Sequence, residues 1–498
     1  MSSNNNTRLN NISGFPELTM YEQIVFERIK RGCVKVYELF GFGPLETRTV
    51  EDKKILEEKG IEGKELFTLN SLHHGEVKEK GDNEQVLTLR FDLTVPFARY
   101  VAQYYKTLPF PLKRWQIQKV YRGETAREGL GRFCEFYQSD IDVIGKGELN
   151  IIYDAEFPCV IYKIFREVIG IERFVIRINN RRLLEGLFQE FGMDDASKLK
   201  KAVKVIDNME KVPVEDTITG LVALELSVEN AKKILQFFTL CRNSRPSDVV
   251  VAYDTLNVKN ALFKQGLVEL AEVIRTVVAN GVPEEYFIVD PSIARGLDYY
   301  TGTVYETYLL DFNHLGSVCS GGRFDDLVGT LNGDKNIKFP GCGLSIGLSR
   351  LVPTLIRNGV LRAESMSTAP VLIVVQDNKY MNQYNTIAGI LRQAGIATSV
   401  NYNGGRLKAQ IEFAAKYGFK FLLIGREELE SGKIQVKEMN SGKENDIVDV
   451  SALVEFISSR LTLTFDYRTQ SAPNDREFLK LSVEEFSSQL QACFYKKN

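Results

Sequence analysis

The segment at residues 119–145, KVYRGETAREGLGRFCEFYQSDIDVIG, constrains the fold more than any other part of the chain. Apolar and β-favouring residues flank a glycine- and charge-rich middle at 125–131, a pattern that predicts two strands joined by a loop. Because side chains alternate along a strand, one face of the second strand carries five residues, Arg132, Phe136, Gln138, Asp140 and Asp142. This face is too polar for a protein core, and it indicates either a ligand site or a solvated edge hairpin.

The order Arg-x-Glu, loop, Arg-x-x-x-Phe-x-x-x-Asp in this segment resembles the second motif of class II aminoacyl-tRNA synthetases. The resemblance implies that Arg122 holds the α-phosphate of ATP as a planar bidentate donor, and that Glu124 accepts from the adenine amino group. It also implies that Phe136 stacks on the adenine ring and that Arg132 reaches the outer phosphates, a role for which Arg127 remains an alternative.

Two further polar pairs are similar to histidyl-tRNA synthetases within that class. Gln138 and Asp142 form a Gln-x-x-x-Asp tail, whose positions face the amino acid in the family. The string LRFDLTVPFARY matches the family segment that binds the amino group, which implies that Asp92 and Thr94 bind the α-ammonium group of histidine. On the residues alone, Thr94 is favoured as an N-cap of the helix predicted to begin after Pro96, and only the resemblance favours ligand binding.

The string ARGLDYYTG strongly resembles a motif peculiar to histidyl-tRNA synthetases. By this resemblance Arg295 contacts the substrate carboxylate and the α-phosphate, so that Arg122 and Arg295 are the expected catalytic residues. Tyr299 and Tyr300 are expected at the histidine site, together with Arg122 and Arg295. Tyr300 and Asp142 are expected to hydrogen-bond the imidazole ring, because neutral imidazole has one donor and one acceptor nitrogen.

Two glycine-rich segments follow. CSGGRFDDL at 319–327 matches a second motif specific to the family, and PGCGLSIGLSRL at 340–351 resembles the third motif of class II synthetases. In that motif Arg350 is expected to cover the adenine ring opposite Phe136 as a cation–π sandwich. The segment is not a dinucleotide-binding glycine loop, because it lacks that glycine spacing and the acidic residue that should follow.

The expected fold is a multidomain α/β protein. It has a class II synthetase core with an antiparallel sheet, a helical insertion, and a C-terminal α/β anticodon-binding domain of alternating strands and helices. A packing role remains an alternative for the insertion, and generic nucleotide or protein binding remains one for the last domain. The expected boundaries are a disordered tail at 1–13, the core at 14–182 and 284–362, the insertion at 183–283, the anticodon-binding domain at 370–460, and an extension without assigned function at 461–498.

Composition limits the other classes of function. A formal net charge of −2 gives no global attraction to nucleic acid, so any tRNA contact must be local. Seven scattered cysteines without a C-x-x-C pair indicate reduced thiols and a cytoplasmic location, and three histidines argue against a His/Cys metal site. The sequence shows neither a membrane-spanning run nor a signal peptide, so no membrane association is expected.

The resemblance, which spans roughly residues 14–460, implies a histidine–tRNA ligase with L-histidine, ATP and tRNA as substrates. Mg²⁺ is expected on the ATP phosphates without a dedicated ligand cluster in the protein. A homodimer is implied by the first class II motif, an amphipathic helix at 21–40 followed by a strand at 45–50, although Thr47 to Thr49 replace the usual proline. The alternatives are a non-catalytic regulatory paralogue and a class II synthetase for another amino acid.

Overall fold

The structure, a computed structural model, describes residues 11–57, 65–70, 86–193, 195–207, 212–242, 244–293, 300–325, 327–332, 337–442 and 444–464. Most of the expected N-terminal tail and all of the C-terminal extension beyond residue 464 therefore lie outside the described residues. The chain divides into two compact units, Met1–Glu17 with Arg28–Thr354, and Leu18–Glu27 with Leu355–Asn498. Among the described helices, none combines the length and the apolar run that crossing a bilayer requires.

The described strands, in chain order, are β1 (Gly43–Pro44), β2 (Val50–Asp52), β3 (Leu87–Leu89), β4 (Leu112–Tyr121), β5 (Glu135–Ile144), β6 (Phe174–Asn180), β7 (Phe287–Val289), β8 (Thr303–Leu309), β9 (Cys319–Phe324), β10 (Gly341–Gly347), β11 (Val371–Val374), β12 (Thr398–Asn401), β13 (Phe421–Ile424), β14 (Lys433–Glu438) and β15 (Asp446–Asp449). The described α-helices are α1 (Met20–Leu39), α2 (Lys53–Glu57), α3 (Thr94–Tyr104), α4 (Ile152–Lys163), α5 (Arg181–Glu190), α6 (Ala196–Asp207), α7 (Val214–Val222), α8 (Val228–Arg242), α9 (Pro246–Asp254), α10 (Ala261–Ala279), α11 (Gly329–Asn332), α12 (Leu348–Arg357), α13 (Met381–Gln393), α14 (Leu407–Tyr417) and α15 (Leu453–Thr464).

An eight-stranded sheet forms the centre of the first unit, in the order β1-β4-β5-β10-β9-β8-β6-β7. The pairs at its two edges, β1 with β4 and β6 with β7, are parallel. All pairs between β4 and β6 are antiparallel. The two strands predicted from residues 119–145 correspond to the end of β4, which begins seven residues before that segment, and to β5. The antiparallel sheet expected of a class II synthetase core is confirmed.

The two faces of this sheet differ in their cover. On one face, Tyr37 of α1 hydrogen-bonds Ser139 of β5 (Oη to Oγ, 2.7 Å), and Tyr305 of β8 donates to the carbonyl of Asp154 in α4 (2.6 Å). We call this the back face. Since side chains alternate along β5, Gln138 and Asp142 project from the opposite face, the front face.

The N-terminal segment departs from the prediction after its helix. The helix predicted at 21–40 is α1, but the single strand predicted at 45–50 is wrong, because strand pairing occurs only in the short β1 and β2. Between them the buried Thr47 exchanges side-chain hydrogen bonds with Gln116 of β4, at 3.2 and 3.3 Å. Thr47 is the first of the residues found where the family usually has proline, and its hydroxyl ties this segment to the front face of β4.

A helical insertion lies between β6 and β7 in the chain, as predicted, and comprises α5 to α10. Its first and last helices cross closely, because a Cβ on Gly186 of α5 would lie 2.3 Å from the backbone nitrogen of Phe263 in α10. The ion pair of Arg182 with Glu269 (Nη1 to Oε2, 2.5 Å) joins the same two helices. The last helix of the insertion is thereby fastened to its first helix, which directly follows β6.

The second unit contains a mixed five-stranded sheet in the order β12-β11-β13-β14-β15. Its first three strands are parallel, as the alternating pattern predicts, and its last two are antiparallel. Neither β15 nor α15 was predicted from the sequence. The strand β15 is an edge strand in which Ile447 is 65% exposed, so its sequence lacks the apolar run of a buried strand.

Candidate active site

The centre of the front face contains two glycines at neighbouring positions of adjacent strands. Asp142 of β5, Gly343 of β10 and Gly322 of β9 lie in register across three neighbouring strands. A Cβ on Gly343 would lie 2.1 Å from Asp142 Oδ1, and a Cβ on Gly322 would lie 2.9 Å from Cδ1 of Tyr300. The two glycines therefore let the Asp142 carboxylate and the Tyr300 ring lie close to the sheet, and we call the part of the front face between these two side chains the slot.

Asp142 is buried at one side of this slot. Arg114 of β4 pairs with its carboxylate (Nη2 to Oδ2, 2.6 Å), and Thr94 donates to the other oxygen at 3.4 Å. Burial raises the pKa of Asp142, while the charge of Arg114 and the hydrogen bond from Thr94 oppose that rise. The carboxylate is thus a fixed acceptor at one side of the slot.

In this region Asp92 Oδ2 and Gln138 Oε1 are buried acceptor atoms that receive no hydrogen bond from any described residue, and so is Asp140 Oδ1. The other oxygen of Asp92 accepts from the backbone nitrogen of Val95 (3.0 Å), so Asp92 rather than Thr94 caps α3. The helix α3 begins at Thr94, earlier than the start predicted after Pro96. Burial raises the pKa of Asp92 to about 6, against the hydrogen bond from Val95. Unpaired acceptors beside carboxyls suit a cationic donor such as an ammonium group.

Arg122 follows β4 directly and is held between two aromatic rings. Its guanidinium carbon lies 4.3 Å from the ring centre of Phe91 and 5.1 Å from that of Phe136. Its Nε donates to the Phe91 carbonyl at 3.4 Å. This arrangement fixes the plane of the guanidinium, which is the requirement for bidentate recognition of a phosphate.

A group of arginines lies at the loop end of the front face. Arg350 donates to the carbonyls of Ser317 (2.9 Å) and Gly131 (3.4 Å), and a Cβ on Gly131, whose φ is +65°, would lie 2.7 Å from Arg350 Cγ. Burial, and then the charges of Arg132 and Arg122, lower the pKa of Arg350. The charges of Arg122 and Arg132 therefore act on Arg350, and the three guanidiniums together provide a site for an anion with several charges.

The structure therefore brings together most of the residues expected at the site. Asp92, Thr94, Gln138, Asp142 and Tyr300 lie around the slot, while Arg122, Glu124, Arg132, Phe136 and Arg350 lie towards the loop between β4 and β5. Glu124 and Arg132 are exposed, and the charge of Glu124 opposes the lowering of the Arg350 pKa. Arg122, rather than Arg350, is the guanidinium found over Phe136. Arg295 and Tyr299 lie outside the described residues.

Sequence reasoning missed a polar network on the front face of β4. Gln118 Oε1 accepts from Arg90 (Nη1, 2.5 Å) and from Gln116 (Nε2, 2.7 Å), and Gln116 Oε1 accepts from Arg114 (3.1 Å). The signal was present in the sequence, because Arg114, Gln116 and Gln118 alternate along LKRWQIQKVY. This alternation can be interpreted only when β4 is known to lie beside β5, because solvent-exposed strands show the same alternation.

The residues around the slot do not resemble a protein-built metal centre. Within the described ranges, no group of three or more histidine, cysteine, aspartate or glutamate side chains is arranged to hold an ion. The buried carboxyls Asp92 and Asp142 interact with Arg122 and Arg114 instead. The donor set of the slot thus suits an organic ligand with N–H donors better than a bare cation.

Comparison with known proteins gives one consistent family. The family model described as "Histidyl-tRNA synthetase" matches residues 20–351, and the one described as "Anticodon binding domain" matches residues 370–460. The histidine–tRNA ligase of Clostridium tetani is 39% identical over 88% of this chain and 95% of its own length, and that of Stenotrophomonas maltophilia is 40% identical over 86% and 92%. The crystal structure of histidyl-tRNA synthetase from Nostoc sp. PCC 7120, 36% identical, covers 91% of this chain and 99% of its own with a TM-score of 0.80. The chain therefore belongs to the histidyl-tRNA synthetase family.

Proposed function

We propose that the front face of the eight-stranded sheet is where this enzyme forms histidyl-adenylate. As a member of its family the chain is a histidine–tRNA ligase, which attaches L-histidine to tRNA with ATP. The observation that carries the proposal is the glycine-lined slot between Asp142 and Tyr300, next to two unpaired acceptors and a group of arginines. These three features match the imidazole, the α-ammonium group and the triphosphate of the two small substrates.

Asp142 and Tyr300 select the amino acid in this proposal. A neutral imidazole presents one N–H donor and one acceptor nitrogen, which a carboxylate and a phenol hydroxyl satisfy together. Asp92 and Gln138 accept from the α-ammonium group, with Thr94 beside them. A site built to hydrogen-bond its substrate rejects an analogue without those groups by about 10⁴-fold or more, since its own polar groups would remain unpaired.

The first reaction is attack of a histidine carboxylate oxygen on the α-phosphorus of ATP, which releases pyrophosphate. Arg122, held in plane by Phe91 and Phe136, stabilises the charge that develops on the α-phosphate, and we assign the same role to Arg295. Arg132 and Arg350 bind the outer phosphates and the adenine side, and Glu124 accepts from the adenine amino group. In the second reaction a hydroxyl of the terminal adenosine of tRNA attacks the carbonyl carbon and AMP leaves.

The remaining assignments are also proposals. Magnesium enters on the phosphates of ATP, where it neutralises charge, because the described carboxyls of the slot form no ligand cluster. The domain boundaries are those given by the sequence, with tRNA contacts in the insertion and in the second unit. The resemblance of the α1 and β1 segment to the first class II motif supports a homodimer. Six described free cysteines support a cytoplasmic location.

A non-catalytic paralogue is not favoured. Relatives 39% and 40% identical over most of the chain are named as histidine–tRNA ligases. The described site also retains Arg122 and Arg350 in positions that suit a nucleotide. A synthetase for another amino acid is not favoured either, because the slot has a polar group, Asp142 or Tyr300, at each end.

ATP–pyrophosphate exchange with each of the twenty amino acids, without tRNA, tests the proposal. We expect exchange with histidine alone. Arg122→Ala should reduce its kcat by about 10³-fold or more, because it removes a donor to the transition-state charge. Arg173→Ala is the matched control, since that arginine pairs with Asp311 and is 67% exposed. Folded wild-type protein without exchange would favour the paralogue, and exchange with another amino acid would overturn the assignment of Asp142.

A further inference from the structure

Arg114 is the largest side chain that the fold buries completely among the described residues. Its Nη2 pairs with Asp142 at 2.6 Å and donates to the carbonyl of Leu93 at 2.9 Å, while Nη1 donates to Gln116 at 3.1 Å. The guanidinium carbon also lies 4.6 Å from the ring centre of Phe97. Because burying a charged pair costs about as much free energy as the pair returns, stability alone is a weak reason for an arginine at this place.

The contacts of Arg114 join the three segments that carry the histidine-binding residues. Arg114 itself lies on β4, Asp142 lies on β5, and Leu93 is the residue between Asp92 and Thr94. A single planar group therefore fixes the distance from the imidazole acceptor to the turn that receives the ammonium group. A lysine could not make these contacts together, since its ammonium group has no planar fork.

Arg114 also compensates a cluster of buried carboxyls. Asp92, Asp140 and Asp142 are all 3% exposed or less. Burial raises the pKa of each of them, and Arg114 opposes the rise in every case. Asp142 is the one that Arg114 touches, at 2.6 Å, so it is the carboxyl that Arg114 holds in place beside the slot.

We propose that Arg114 is a positioning residue for histidine recognition, which aims the Asp142 carboxylate into the slot and holds the Asp92–Thr94 turn at the matching distance. The inference rests on the proposed role of Asp142. Because the charge of Asp142 is already balanced by Arg114, the pair accepts a hydrogen bond from neutral imidazole and gains little from a fully charged ring. Arg114 thereby sets both the place and the charge of the acceptor.

The test is a double-mutant cycle of Arg114→Met and Asp142→Asn, read by ATP–pyrophosphate exchange. Arg114→Met should raise the KM for histidine about 30-fold or more and leave the KM for ATP within about twofold. In the Asp142→Asn background the same change should add less than about threefold, because the acceptor that Arg114 positions is already lost. Arg99→Met is the matched control, since Arg99 forms a buried ion pair with Glu51 (3.0 Å) outside the slot. It should lower the melting temperature without changing the KM for histidine.

Three results would overturn the inference: a histidine KM for Arg114→Met within about threefold of wild type, an equal rise in the KM values of both substrates, or an equal effect with and without Asp142. If Arg114→Met does not fold, the cycle is run with Arg114→Lys, which retains the charge. Arg114→Lys should raise the KM for histidine several-fold when Asp142 is present but not in the Asp142→Asn background. Additive effects of the two changes would again contradict the inference. Absence of exchange in the wild type would instead reject the proposed function itself.

Discussion

At the scale of single residues, the front face is notable for polar side chains that are buried beside other polar side chains. Asp140 is the clearest example, because it lies between Gln138 and Asp142 on β5, is 1% exposed, and has an oxygen that receives no hydrogen bond from a described residue. Burial raises the pKa of Asp140 to about 8, with Arg114 opposing the rise. The folded protein thus keeps a proton that the unfolded chain loses near pH 4.

Asp140 therefore makes the folded state less stable as the pH rises from about 4 to about 8, since the folded state binds more protons over that range. The loss is at most about 1.4 kcal/mol per pH unit for one such group. Asp140→Asn removes this dependence, so its melting temperature should exceed that of the wild type by a margin that grows up to pH 8. Thermal unfolding from pH 5 to pH 8.5 measures the margin. Glu412→Gln, a change at an exposed carboxyl, should show none, and a constant margin for Asp140→Asn would refute the assignment.

At the scale of elements, β10 shapes the site through the side chains that it lacks. Its residue Gly343 lies beside Asp142 and opposite Gly322 of β9, and these two positions form the floor of the slot. A strand with ordinary side chains at both positions would pair equally well but would fill the slot. The glycine pattern in this strand thus has its reason in the ligand site rather than in the sheet, where glycine is unfavourable.

Gly343→Ala should consequently impair histidine binding more than folding. The added Cβ would displace Asp142 Oδ1, which lies 2.1 Å from its position, so the KM for histidine should rise about tenfold or more. Gly347→Ala in the same strand is a matched comparison, because its Cβ would meet only ordinary contacts, the nearest at 3.7 Å. Exchange kinetics and thermal unfolding of both variants decide the matter. Equal changes in the histidine KM would show that the slot is not at Gly343.

At the scale of the whole molecule, charge separates the two reactions. The net charge of −2 gives no general attraction for tRNA, so tRNA must bind through local basic patches whose contacts weaken with salt. In the proposed function, adenylate formation takes place at the slot, whose ion pair of Arg114 with Asp142 is buried and is screened much less. The small-substrate and tRNA steps should therefore respond differently to ionic strength.

Raising the salt from about 50 to about 200 mM should increase the KM for tRNA at least tenfold. Over the same range, pyrophosphate exchange measured without tRNA should change much less. Aminoacylation and exchange assays in matched buffers provide the comparison, with the melting temperature as the control for stability. A parallel loss in both assays would mean that salt acts on the folded structure or on ATP binding.

The sequence by itself determined the antiparallel core strands, the helical insertion and the alternating C-terminal domain, and it predicted most of the residues that the structure brings together at the candidate site. These features depend on local periodicity and on the order of motifs. Residues 119–145 predicted β5 with its polar face and the end of β4, whereas most of β4 precedes that segment and Arg132, predicted on the strand, precedes β5. The string at 407–417 gave α14 with its observed bounds. Patterns of this kind are set within one element, where the period of the backbone decides which side chains share a face.

Only the tertiary structure decided how elements distant in the chain meet. The pairing of Arg114 with Asp142, the capping of α3 by Asp92, and the hydrogen bonds of Thr47 to β4 each join separate segments, and a sequence pattern does not record such distances. The prediction of a strand at 45–50 was wrong for this reason, since Thr47 forms side-chain hydrogen bonds with Gln116 where regular strand pairing was expected. The edge strand β15 was missed because its partner β14, rather than its own apolar content, holds it in the sheet.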